Sequence, residues 1–339
     1  MPFEIVRNDI TNMRVDAIVN AASRFPQVNP GVDSAIHKKA GPALLEARKA
    51  VGYIEPGSAA ITPGFALEAA HVIHAATPVW TDGLHGEAKL LRQAYDMCLE
   101  LAVKNRCETI AFPLLASGNH GFPKSKALQV AIAAFSEFLM EHELQIYLVV
   151  FSKDSVKLSE NLVNRVASYI DENYVAAYEQ ETYGAGNENR RYRTNRVAQA
   201  PRECAAKSCM QEPCQMSLSL DDFLKEKDAG FTETLLRLID QTGKKDSEIY
   251  KKANISKQHF SKIRNNLNYK PTKSTAIALA LALELNLDDT KDLIGRAGYA
   301  LTNSSKFDLI IRYFIEQGNY NVVEINIALY EFDQSLLGG

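Results

Sequence analysis

The chain has 339 residues and a mass of 37.6 kDa, with 46% hydrophobic and 23% charged side chains and a formal net charge of -3. This composition excludes a fibrous, collagen-like or wholly disordered chain, and the length exceeds the roughly 100–200 residues of an ordinary domain, so two domains are expected. No run approaches the roughly 18–20 apolar residues of a membrane span, and Met1-Pro2-Phe3-Glu4 lacks the basic start of a secretory signal, so the expected address is cytoplasmic, with no membrane partner. The five cysteines, Cys98, Cys107, Cys204, Cys209 and Cys214, form an odd, sparse set that fits a reducing compartment.

Residues 1–181 alternate short apolar runs with amphipathic helical spacing, the pattern of an α/β layer domain. Strands are expected at Ala17 to Asn20, Val72 to Ala75, Thr109 to Pro113 and Ile146 to Phe151. Helices are expected at Ser34 to Lys49, Glu87 to Asn105, Lys124 to His142 and Ser155 to Glu181. The strands are nearly all apolar, which implies helices on both faces. Periodicity then disappears, and 182–220 reads as a flexible linker. Its C-x4-C-x4-C spacing lacks the paired ligands of a zinc site, so no metal or other cofactor is expected. Residues 221–339 read as an all-α domain. Its helices are expected at Phe231 to Thr242, Asp246 to Ala253, Ser256 to Asn266, Ser274 to Leu285, Asp288 to Ala297, Lys306 to Glu316 and Val322 to Phe332. Asp246, Ser256, Ser274 and Asp288 are candidate N-caps, and Gly243 and Gly298 candidate stops.

Charge is uneven. Residues 1–181 carry 16 basic and 21 acidic side chains, whereas 244–273 hold nine lysines and arginines against Asp246 and Glu248. That local excess suits phosphate, or is a solvated helical face.

Two loops that follow apolar strands carry the candidate chemistry. Val19 to Asp33 runs Val-Asn-Ala-Ala-Ser-Arg-Phe-Pro-Gln-Val-Asn-Pro-Gly-Val-Asp, and Pro113 to Pro123 runs Pro-Leu-Leu-Ala-Ser-Gly-Asn-His-Gly-Phe-Pro. Loops whose backbone N–H groups turn inward near a helix N-terminus bind phosphate, and two facing loops suit a diphosphate. Together with Asn8 to Thr11, Val15 to Ala22, Gly57-x-Ala-x-x-Thr-x-Gly64 and Val72-Ile-His74, these blocks resemble the macrodomain, an ADP-ribose-binding module of the Appr-1''-p processing type, over nearly all of residues 1–170.

The resemblance implies a macro fold, a mixed sheet sandwiched between helices. It implies that Asp9 accepts the adenine amino group beside the Ile10 backbone and that Phe151 stacks on adenine. Gly31, Val32 and Asp33, with Ser117, Gly118, Asn119, His120, Gly121 and Phe122, would wrap the diphosphate and distal ribose, and Asn20 would stand near that ribose. Each position also has a plain reading: Asp9 as a turn cap, Phe151, His74 and His37 as structural residues, His120 as rim. Hydrolytic members follow Asn-Ala-Ala-Asn with six residues and Gly-Gly-Val-Asp. Here Ser23 replaces the last asparagine and Val28-Asn-Pro-Gly31 replaces a glycine-rich stretch, while Asp33 survives where it could orient a water. His120 titrates near neutral pH in its unperturbed state and is the second catalytic candidate. The partner is then ADP-ribose or an ADP-ribosylated macromolecule, and the chain is either a candidate ADP-ribosyl hydrolase or a nucleotide-sensing regulator.

The C-terminal helices resemble the Cro/XRE helix-turn-helix class. Asn254-Ile255 would be the turn and Ser256 to Asn266 the recognition helix, with Phe260 and Ile263 inward and Lys257, Gln258, Ser261, Lys262 and Arg264 outward toward DNA, or toward a protein partner.

Overall fold

Six strands, Phe3–Arg7 (β1), Ala17–Ala22 (β2), Ala59–Pro63 (β3), His71–Ala76 (β4), Thr109–Pro113 (β5) and Gln145–Val150 (β6), form one sheet in the order β1-β6-β5-β2-β4-β3. The pairs are parallel except β3 with β4, so the sheet is mixed as expected. The structure is a computed structural model that describes residues 2–151, 162–171 and 229–338. Four helices flank the sheet: Val32–Ala40 (α1), Pro42–Val51 (α2), Glu87–Lys104 (α3) and Lys124–Glu141 (α4). A fifth, α5, covers 162–171, inside the longer helix expected there. The expected linker at 182–220 lies outside the described residues.

Period-two alternation divides the core. Val19, Ile73, Ile110, Phe112 and Leu148 share one cluster with Leu91, Tyr95 and Leu99 of α3 and Phe135 of α4. The intervening Ile18, Val72, Ala111 and Val149 share the other with Ile36, Ala40 and Leu44 of α1 and α2. Burial on both faces explains the continuous apolar strands. The unforeseen strands are the two edges. β1 carries Glu4 and Arg7, and β3 ends in proline, features that edge strands tolerate and that weaken an apolar signal. The single helix expected over Ser34 to Lys49 is two, because Gly41 takes φ 85° and Pro42 starts a new first turn.

The described C-terminal residues are helical: Phe231–Thr242 (α6), Asp246–Lys252 (α7), Lys257–Arg264 (α8), Lys273–Ala282 (α9), Leu287–Arg296 (α10), Lys306–Glu316 (α11) and Val322–Glu331 (α12). Ser256 caps α8 by accepting the His259 N–H. Thr272 and Asn286 cap α9 and α10 in place of the expected Ser274 and Asp288, and Lys245 precedes α7 in place of Asp246. The residue that caps is the extended one just before the first turn. Among the described residues no helix is long and apolar enough to cross a membrane.

The helical part packs on the sheet domain through residues far apart in sequence. Asn254, between α7 and α8, is 2% exposed and has φ 55°. Its Oδ1 accepts the Phe3 N–H at 2.8 Å, and its Nδ2 donates to the Phe3 carbonyl at 2.9 Å, so one side chain satisfies a residue of edge strand β1 as a neighbouring strand would. Beside it the Tyr250 hydroxyl donates to Glu143 at 2.8 Å and Lys251 Nζ to the Met140 carbonyl at 3.0 Å. The Tyr169 hydroxyl of α5 donates to Glu316 of α11 at 2.8 Å. Asn254→Gly keeps the left-handed turn and removes only the amide, leaving two buried backbone groups unpaired. Urea unfolding is expected to lose about 2–6 kcal/mol, at roughly 1–3 kcal/mol for each of the two orphaned groups.

Candidate functional site

In open parallel sheets ligands bind beyond the C-terminal strand ends, and two cavities lie there that share Gly31, Val32, Pro113, Val149 and Phe151. One, of about 390 Å³, is lined also by Asn8, Asp9 and Ile10 after β1. The other, of about 250 Å³, continues past Asn29 and Asp33 of the first loop and Ser117 to His120 of the second to Thr77 after β4. They form one trough that crosses the sheet in strand order.

At its β1 end Asp9 Oδ1 caps the short 3-10 turn Ile10–Asn12 by accepting the Thr11 N–H at 2.9 Å, so its capping and ligand-facing readings coexist. Phe151 is 80% exposed, which excludes the core reading and leaves a ring at the cavity wall. Midway, α1 starts at Gly31 with φ 94° and no side-chain cap. Its first N–H groups and the positive end of its dipole are therefore available to an anion. The second loop is held from beneath, since the Leu115 N–H donates to the hydroxyl of fully buried Tyr95 at 3.0 Å. Asn119 Nδ2 donates to the Pro30 carbonyl at 3.0 Å and ties the two loops together.

Asp33 is 2% exposed. Its Oδ1 accepts from Asn20 Nδ2 at 2.7 Å and lies 3.4 Å from His37 Nε2, and its Oδ2 accepts the Asn29 N–H at 2.7 Å. Asn20 is fully buried and does not line the trough, so the expected ribose contact is corrected: its amide holds Asp33 from behind and meets His74 Nδ1 at 3.3 Å. His74 Nε2 in turn meets Thr62 Oγ1 at 2.9 Å. Burial, helped by Arg48 and His37, pushes the His74 pKa down to about 3, and burial also lowers that of His37. Both rings are buried and neither lines the trough. Arg48, 1% exposed, donates to the carbonyls of Ser23 at 2.9 Å and Arg24 at 3.2 Å and to that of Gly52.

His120 is half-buried, with Nδ1 2.7 Å from Thr77 Oγ1, and burial followed by nearby Arg24 lowers its pKa, so the neutral ring faces the trough at neutral pH. Gly121 and Phe122 leave the expected contact set. Gly121 turns the chain at φ 69°, and Phe122 is 2% exposed and packs edge-on against Trp80 at 4.5 Å. Thr77, Asn29, Asn8 and Pro113 were missed; their position at strand or loop ends was the available signal. Among the described residues, Asp82, His85 and Glu87 bring potential metal-ligand atoms within 4.8 Å, but the Glu87 carboxylate already accepts N–H groups from Thr81, Asp82, Gly83 and His85.

The Macro domain family matches residues 19–131. A Salmonella gallinarum protein named O-acetyl-ADP-ribose deacetylase is 42% identical over 168 residues, covering 48% of this chain and 94% of that one. This chain belongs to the macro domain family. A Macro domain-containing protein of Methanosarcina mazei is 43% identical over 164 residues, covering 48% of this macro domain chain and 88% of its own. Among solved structures, the Oceanobacillus iheyensis macrodomain with MES bound is 31% identical, covers 45% of this chain and 85% of that one, and has a TM-score of 0.43.

The histidine pKa values give a pH dependence. An unfolded histidine protonates near 6.5, whereas buried His74 does so near 3, so the unfolded chain binds more protons in between and stability falls as pH drops below about 6.5. Each such group contributes up to about 1.4 kcal/mol per pH unit. Thermal midpoints measured from pH 7 to 4 are expected to fall, and less steeply in His74→Gln.

Proposed function

We propose that the trough binds ADP-ribose and that the chain hydrolyses a bond at the distal ribose. The observation that carries this reading is the uncapped N-terminus of α1 midway along a continuous trough, between a carboxylate and ring pair (Asp9, Phe151) at one end and Asp33 and His120 at the other. Adenine lies at the first end, the diphosphate takes the α1 N–H groups and the loop of Ser117 to His120, and the distal ribose reaches Thr77 and His120. The name of the Salmonella relative, which this chain covers over 94% of its length, supports chemistry at an ester of that ribose.

Ser23 supplies no carboxamide; it is 8% exposed and its hydroxyl accepts the Phe25 N–H at 3.3 Å. Hydrolysis therefore rests on two groups. Asp33, rigidly held, retains acceptor capacity on Oδ2 for one water at the ribose carbon or acyl carbon. His120, neutral at pH 7, accepts or relays the proton released. Calorimetry with ADP-ribose is expected to give micromolar binding that Asp9→Ala weakens about 10–100-fold, the loss of a hydrogen bond to a charged group. Asp33→Asn, isosteric and still able to accept from Asn20, is expected to lower turnover of O-acetyl-ADP-ribose at least about 100-fold with binding retained. Unchanged turnover removes Asp33 from the mechanism.

A second reading, a regulator whose helical part binds DNA, is favoured by the α8 face. Phe260 and Ile263 are buried while Lys257, Gln258, Ser261, Lys262 and Arg264 are exposed, and Asn254 supplies a left-handed residue in the α7–α8 turn. Part of the basic run is spent internally, since Lys244 and Lys252 pair with Glu284, Arg264 with Asp246 and Lys273 with Asp308. Duplex binding by the full chain is expected to weaken with salt, with a log–log slope shallower by about 2 in Lys257→Ala/Lys262→Ala. Absence of binding at low salt overturns this reading.

A further inference from the structure

The segment that leaves β4 is fastened to the second loop, and His120 is where most of the fastening falls. Its carbonyl accepts the Trp80 N–H at 2.8 Å, and its Nδ1 lies 2.7 Å from Thr77 Oγ1. Beside it the Trp80 ring meets Phe122 edge-on, and Lys126 Nζ covers that ring at 4.8 Å from its centroid. The loop also closes on itself, since the Gly121 N–H donates to the Gly118 carbonyl at 2.9 Å and the Phe122 N–H to the Ala116 carbonyl at 3.1 Å. An exposed loop side chain ordinarily changes rotamer within nanoseconds. His120 is instead held at its backbone and at one ring nitrogen.

Pinning Nδ1 decides which atom meets a ligand. The ring nitrogens point apart, so with Nδ1 on Thr77 the nitrogen left for the trough, which His120 and Thr77 both line, is Nε2. Thr77 is 1% exposed, so bulk water does not compete for its hydroxyl. In a neutral imidazole one nitrogen carries the hydrogen and the other accepts, and the bond made by one sets the state of the other. A hydroxyl accommodates either form, but a carbonyl only accepts. The carbonyl of Pro78, next in the chain to Thr77, also takes a hydrogen bond from the ring. Acceptors from consecutive residues favour the hydrogen on Nδ1 and leave Nε2 bare.

We propose that Thr77 is a positioning residue: its hydroxyl oxygen accepts from Nδ1–H of His120 and so keeps Nε2 as the atom that takes a proton from water at the distal ribose. The inference rests on the hydrolytic reading of the trough and supplies the atoms that reading needs. As water adds to the acyl carbon of an ester on that ribose, its proton passes to Nε2. The imidazolium returns the same proton to the ribose oxygen as the acyl C–O bond breaks, leaving ADP-ribose and the carboxylic acid. Nδ1 keeps its hydrogen throughout, so Thr77 accepts in every state and neither side chain has to turn between steps.

Ring nitrogen chemical shifts of the full chain labelled with nitrogen-15 histidine, with the His120 signals assigned by their loss in His120→Gln, are expected to show the Nδ1–H form at neutral pH. Thr77→Val, isosteric but without the hydroxyl, is expected to lose that preference and to lower kcat for O-acetyl-ADP-ribose at least about tenfold with KM unchanged, part of what a general base contributes. Thr77→Ser is expected to restore both. In the His120→Gln background Thr77→Val is expected to cost nothing further, since the pair acts as a unit. An Nε2–H form in the starting protein overturns the inference, as does a tautomer or kcat that Thr77→Val leaves unmoved. A loss that Thr77→Ser shares, or additive losses in the double variant, reduces Thr77 to a packing role and overturns it equally. Absence of turnover by the starting protein is a separate result, which defeats the hydrolytic reading and the inference with it.

Discussion

The trough depends on keeping one buried carboxylate in place. Asp33 sits in the first turn of α1, where its charge favours the helix start, yet it is almost fully enclosed. A buried carboxylate is tolerated only when its oxygens find donors. Asn20 from the centre of the sheet and the Asn29 N–H from the loop supply them, so the bonds that satisfy Asp33 also set the loop on the strand. Behind Asn20, His74 and Thr62 extend the chain to edge strand β3. The orientation of a group facing the ligand is thus determined two strands away, on the same face of the sheet, at edge strand β3.

Arg48 performs the complementary task. Its guanidinium gathers three carbonyls from two loops, and those loops carry Ser23, Phe25 and Tyr53. The replacements in the first loop change what this frame presents. A loop with Pro30 loses a backbone donor, but the Pro30 carbonyl becomes the acceptor for Asn119, so the two substituted positions support each other.

Much of this was legible because binding positions follow strands at short, fixed distances. Asp9, Phe151 and the two loops could be located from the apolar runs before them. Asn20 was misplaced since an asparagine within a buried strand looks alike whether it faces ligand or core; only the partner, thirteen residues on, decides. Phe122 was misplaced for the converse reason, because a phenylalanine inside a glycine-rich loop gives no local sign that Trp80 covers it. The tie between Asn254 and Phe3 spans 251 residues, and neither residue has a neighbour that announces it. Edge strands escaped because half of their surface is polar by necessity.

The bond from Asn119 to Pro30 has a consequence for timing. It spans the trough at its midpoint, where the α1 N-terminus awaits an anion, so a ligand with a bulky group at each end cannot slide in lengthwise while the strap is closed. Opening that single exposed hydrogen bond frees both loops at once, so the step that admits a ligand costs little, roughly 0.5–1.5 kcal/mol. A macro domain strapped in this way opens readily, and its ligand is held by the contacts of both loops rather than by the strap.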